Sequence, residues 1–98
     1  MNIQAMMKQA QQIQKEMMKA KEEIDNKIYV GKSSFVEVNV RGNKEIDSIK
    51  INSEKLDKDD IEMLQDILLV AVNDAMKQID TETQQKLGKY TQGMPGLF

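Results

Sequence analysis

Residues 3–27 hold neither glycine nor proline, and their apolar side chains recur at Ile3, Met6, Ala10, Ile13, Met17, Ala20 and Ile24. Alternating steps of three and four make a heptad seam on a helix, and Gln, Lys, Met, Ala and Glu fill the rest with good helix formers. Asn2 is a suitable N-cap. At 1.5 Å per residue the predicted helix is about 38 Å long. A compact chain of this size has a radius of gyration of about 13 Å. The helix must therefore lie along the whole body or project beyond it. Its seam is narrow, with two alanines and two methionines among seven positions. That suits one neighbouring helix, in the same chain or in another.

The opposite face of this helix carries Lys8, Lys15 and Lys19, with Gln4, Gln11 and Gln12 around them. Residues 1–21 hold four lysines against Glu16, a net of +3, before Glu22, Glu23 and Asp25 reverse the sign. Two readings stay open. The stripe is an ordinary solvated face, or it is a basic, amide-rich strip that meets phosphates and base edges. Met7 and Met18, beside the seam, read as packing or exposed hydrophobes.

The middle of the chain reads as a small sheet over residues 28–52. A brief strand over 28–30 ends at Gly31, with residues 32–34 as connector. In residues 35–41 Val36, Val38 and Val40 share one face, and Glu37, Asn39 and Arg41 share the other, the pattern of a half-buried strand. Gly42, Asn43 and Lys44 supply turn chemistry. In the third strand, residues 45–52, Ile49 and Ile51 alternate with polar neighbours. Ile46 is out of phase with them, which points to a bulge or an irregular start. Three strands in an antiparallel meander need helix over one face and cover for their edges.

Residues 57–87 read as a second helical region. Asp57, Asp59 and Asp60 suit a helix start, and Asp59 with Glu62 has capping-box spacing. A calcium loop from Asp57 fails, because Glu62 and Leu68 stand where glycine and glutamate are required. Leu64, Leu68, Ala71, Val72, Ala75 and Ile79 form an apolar face that Ile67, Leu69, Val70 and Met76 widen nearly all round. The sheet can cover one side alone, so a homodimer is expected, with Leu64, Ile67, Leu68, Leu69, Val72, Val36, Val38 and Val40 at its interface. Asn73 and Asp74 in that segment need hydrogen-bond partners. Residues 54–80 carry eight acids and three lysines, a net of −5, which disfavours this helix as a DNA-facing element. Gly88 is expected to stop the helix, leaving 88–98 as an irregular tail or as a segment whose Leu97 and Phe98 dock on an apolar groove.

Composition removes most chemistry. The 98 residues hold 14 basic and 16 acidic side chains, a net of −2, and no Cys, His or Trp. Disulfides and metal sites built on Cys or His are thereby excluded. No Gly-rich phosphate loop is present, and the serines have no histidine base. The longest apolar run, residues 67–72, is six long, against about 20 for a membrane span. The expectation is one cytoplasmic α+β domain over 1–98, not an enzyme, with no cofactor, no small-molecule substrate and no membrane. Binding is the remaining class of function.

Several stretches in order carry a resemblance. They are Met6-Met7-Lys8-Gln9-Ala10-Gln11, the sheet ending at residues 47–51, Ile61-Glu62-Met63-Leu64-Gln65-Asp66, Ala71-Val72-Asn73-Asp74-Ala75 and Gly93-Met94-Pro95-Gly96-Leu97-Phe98. Over essentially its whole length the chain resembles the YbaB/EbfC family of bacterial nucleoid-associated proteins. The resemblance implies an intertwined, tweezer-shaped homodimer with projecting helical arms that binds duplex DNA on the nucleoid and can influence chromosome organisation or transcription. Because the family's DNA contact is placed on the opening and closing helices, the implied contacts here are Lys8, Gln11, Lys15 and Lys19 in the first and Lys86 and Lys89 in the last. The alternative is a homodimeric protein-interaction scaffold with little or no DNA binding.

Overall fold

The structure, a computed structural model, describes residues 2–91. Helix α1 spans Ile3–Asn26 and is capped as its sequence suggests. The Asn2 side-chain oxygen accepts from the backbone N–H of Gln4 at 3.0 Å and of Ala5 at 3.4 Å. Three strands follow, β1 (Ile28–Ser33), β2 (Val36–Arg41) and β3 (Ile46–Ile51), in an antiparallel meander ordered β1-β2-β3. A one-turn 3-10 helix at Lys58–Asp60 leads into α2, Ile61–Thr91. The fold is α+β, as expected.

Strand β1 does not end at Gly31. It runs on to Ser33, and Gly31 sits inside it because α2 crosses directly over that position. A Cβ there would stand 2.0 Å from the Ala71 carbonyl oxygen and 2.8 Å from the Ala75 nitrogen. The glycine is a point of close approach and not a strand terminator. The reversal falls instead at Ser34, whose φ is 51°. The second turn lies where its residues place it. Lys44 donates its N–H to the Arg41 carbonyl at 2.7 Å and takes a φ of 73°. The phase slip at Ile46 is a bulge: Asn39 pairs with Ser48 but Val40 pairs with Ile46, leaving Asp47 as the extra residue.

The helix start is two residues earlier than the Asp59 and Glu62 spacing suggests. Asp60 Oδ2 accepts from the Asp57 N–H at 3.0 Å, because the 3-10 turn takes up residues ahead of α2. Nor does Gly88 stop α2. Glycine inside a helix costs about 1 kcal/mol relative to alanine. Here Leu87 is buried and Tyr90 packs on the same core, which holds the helix together on both sides of it. Residues 92–98, including Leu97 and Phe98, lie outside the described residues.

Val36, Val38 and Val40 form the centre of the core with Tyr29, Ala71, Ala75 and Ile79. This corrects their expected place at a dimer interface. They are 0–1 % exposed within one chain, because the small side chains of Ala71 and Ala75 let α2 lie close over β1 and β2. Helix α2 does not reach β3, so the row facing the same side there, Ile46, Ile49 and Ile51, stays 40–50 % exposed. From α1 only Met17, Ala20 and Ile24 join the core, and residues 2–16 are exposed throughout. The molecule is accordingly elongated, 71 × 21 × 15 Å, with a radius of gyration of 19.3 Å against about 13 Å for a compact chain.

Candidate nucleic-acid interface

The exposed part of α1 is an arm about 22 Å long at 1.5 Å per residue. Lys8, Lys15 and Lys19 are separated by seven and four residues, which returns each to nearly the same side of the helix, and Gln11 lies next to them. All four side chains are exposed. Among the described residues none of these three lysines makes an ion pair. Glu16, the one acid in the first half of the helix, accepts instead from Gln12 Nε2 at 3.3 Å. At the root of the arm the pattern changes: Lys21 pairs with Asp25 at 3.0 Å. The uncompensated positive charge is thus confined to the projecting segment.

Lys86 and Lys89 do not join this stripe in the same way. Lys86 Nζ lies 3.0 Å from Glu82 Oε1, and Lys89 stacks over the Tyr90 ring at 4.9 Å. Glu82 is a hub that the sequence did not reveal. Its carboxylate accepts from the Tyr29 hydroxyl, from Lys27 at 3.0 Å and from Lys86. The Tyr29 hydrogen bond above all, then Lys27 and Lys86, hold the Glu82 carboxyl down to about 2 against its partial burial, which acts the other way. Burial, then the neighbouring Glu82 carboxylate, push the Tyr29 hydroxyl above its usual value. Tyr29 and Glu82 are 53 residues apart, and no local spacing announces the contact.

Asp74 finds its partner in the Lys32 N–H at 3.1 Å, and Gln78 Nε2 donates to the Val30 carbonyl at 2.8 Å. Asn73 is exposed. Of the residues expected at a dimer interface, Leu64, Ile67, Leu68 and Val72 are partly buried at the margin of the core, while Leu69 is 62 % exposed with Val70 beside it at 57 %. Among the described residues there is no cluster of three or more His, Cys, Asp or Glu able to hold a metal, and no helix long and apolar enough to cross a membrane. An exposed helix bearing unpaired ammonium groups can meet an anionic polymer without first breaking internal contacts.

Comparison with known proteins agrees with this geometry. A profile of the YbaB/EbfC DNA-binding family matches residues 1–94. A nucleoid-associated protein of Lactococcus lactis subsp. cremoris is 50 % identical over 97 residues, covering 97 % of this chain and 98 % of its own. One from Enterococcus faecalis is 43 % identical over 98 residues, covering 98 % of this chain and 94 % of its own. A crystal structure of an uncharacterized protein from Helicobacter pylori superposes with a TM-score of 0.72 at 25 % identity, covering 95 % of this chain and 99 % of that one.

Proposed function

The chain belongs to the YbaB/EbfC DNA-binding family, and from that premise we propose that it binds duplex DNA as a homodimer through the lysine-bearing arms of α1. Its place is then the cytoplasm, on the nucleoid, with effects on chromosome organisation or transcription that follow from coating or clamping the duplex. The observation that carries this reading is the set of three lysines on one exposed, projecting helix face with no internal ion pair. Lysine contributes charge without base readout, so weak sequence preference is expected. The acidic 54–80 stretch repels phosphate and orients the arms toward DNA. A second copy is supported by the apolar surface that one chain leaves open at Leu69 and Val70 and along Ile3, Met6 and Ile13. Lys86, held by Glu82, contributes less than the arm lysines.

The test is a gel-shift titration at two salt concentrations. A dimer neutralising about six phosphates gives a log–log salt slope of about −5, and about 10³ in affinity is lost between roughly 50 and 200 mM salt. Changing Lys8, Lys15 and Lys19 together to Glu abolishes binding at the lower salt. Equal binding by wild type and the triple variant overturns the arm assignment. The open seam of the arm favours a second reading, a helix that recruits another protein. Wild-type chain that binds no duplex even at low salt decides for it.

A further inference from the structure

The two edges of the sheet differ. In β1, the groups that point away from β2 belong to Ile28, Val30 and Lys32, since Lys27 exchanges with Gly42 on the paired side. Two of those outward groups are taken by α2: Gln78 donates to the Val30 carbonyl and Asp74 accepts from the Lys32 N–H. This edge is closed to another strand. In β3, Asn52 donates to Phe35 at 2.7 Å on the paired side, so alternation turns the N–H and C=O of Ile49 and Ile51 outward. No side chain among the described residues takes them. The row Ile46, Ile49 and Ile51 beside that edge is 45, 50 and 40 % exposed, and α2 does not touch β3. A solvent-facing edge is normally blunted by charge, proline or cover on its apolar side. Here it is left bare on one side of the sheet and sealed on the other.

We infer that β3 receives β3 of a second copy, antiparallel and centred on Ile49, joining two three-stranded sheets into one of six. This deepens the homodimer reading and rests on it. The occupant follows from self-complementarity. An antiparallel pairing of identical strands has a two-fold axis, and a centre at Ile49 makes its outward N–H and C=O a reciprocal hydrogen-bonded pair. The same register sets Lys50 opposite the partner's Ser48 and keeps lysine from facing lysine, which a centre at Lys50 would impose. The apolar rows of both copies then continue across the seam on one face. The chain leaving β3 adds Leu56 and Ile61, 38 and 53 % exposed, toward the area of about 800 Å² per partner that a stable interface needs.

The chain has no cysteine, so a single introduced thiol reports on its own counterpart. Residues facing each other in a hydrogen-bonded antiparallel pair have Cα atoms about 5.5 Å apart, within disulfide reach. Ile49→Cys, mildly oxidised, should convert mostly to a covalent dimer of twice the 11.2 kDa chain mass, and Val30→Cys on the sealed edge should not. Ile49→Lys, at a half-exposed site that tolerates charge, should halve the sedimentation mass with an unchanged circular dichroism spectrum. If wild type is dimeric but Ile49→Cys stays unlinked and Ile49→Lys stays dimeric, the β3 surface is wrong and the homodimer stands. If wild type sediments at the mass of one chain at micromolar concentration, both fall.

Discussion

The two halves of α1 share one heptad pattern and have opposite fates. In the second half Met17, Ala20 and Ile24 enter the core, and Lys21 is paired with Asp25. In the first half Ile3 is 71 % exposed, Met6 50 % and Ile13 44 %, and the lysines have no carboxylate beside them. Periodicity sets which side of a helix is apolar. It does not say whether anything lies alongside. Packing stops where the neighbouring α2 stops, at the level of Leu87 and Tyr90, and the remainder of α1 becomes an arm with its charge and its grease both on offer.

This contrast can be broken most forcefully in the body. Gly31→Val forces a side chain into the Ala71 and Ala75 backbone and should cost more than about 3 kcal/mol, read as loss of the cooperative urea transition. Ala10→Val in the arm should shift the same transition by less than about 0.5 kcal/mol. Ile79→Ala empties a site 2 % exposed and should cost about 2–5 kcal/mol. Ile13→Ala at 44 % exposure should cost under about 0.5 kcal/mol, and a larger loss would show that the arm has a partner.

Smaller effects separate the hub at Glu82 from the stripe. Because the Glu82 carboxyl falls from its ordinary 4.5 to about 2 on folding, its contribution is fully present above pH 4.5 and is lost as pH falls toward 2. Tyr29→Phe removes the largest cause and should flatten the acid limb of a stability–pH curve. For DNA, Lys15→Gln should lower the magnitude of a dimer's salt slope by about 1.8, two phosphates at roughly 0.9 each. Lys86→Gln should change it by less than half of that, since Glu82 already holds this lysine.

Much of the fold could be read along the chain. The helix capped by Asn2, the alternation of Val36, Val38 and Val40 and the bulge signalled by Ile46 are all local, with causes within a few residues. The failures share one cause too. Gly31 and Gly88 read as stops because glycine is a poor strand and helix residue, yet packing of α2 against β1 and of Leu87 and Tyr90 against the core outweighs that preference. The three valines were correctly seen as buried and wrongly assigned to a second copy. Of the site, the stripe of Lys8, Gln11, Lys15 and Lys19 was legible from spacing. The engagement of Lys86 was not, because the hub around Glu82 also draws in Tyr29 and Lys27 from a distant part of the chain.

What the amino-acid sequence determined by itself was element type, the apolar side of each element and the sign of charge on each helix, since these depend on side chains a turn or a residue apart. Only the tertiary structure decided which apolar rows are filled. It laid α2 over β1 and β2, left β3 and the first half of α1 bare, and closed one sheet edge with Asp74 and Gln78. Burial is a property of two surfaces meeting, and a single segment can specify its own surface but not the arrival of the other.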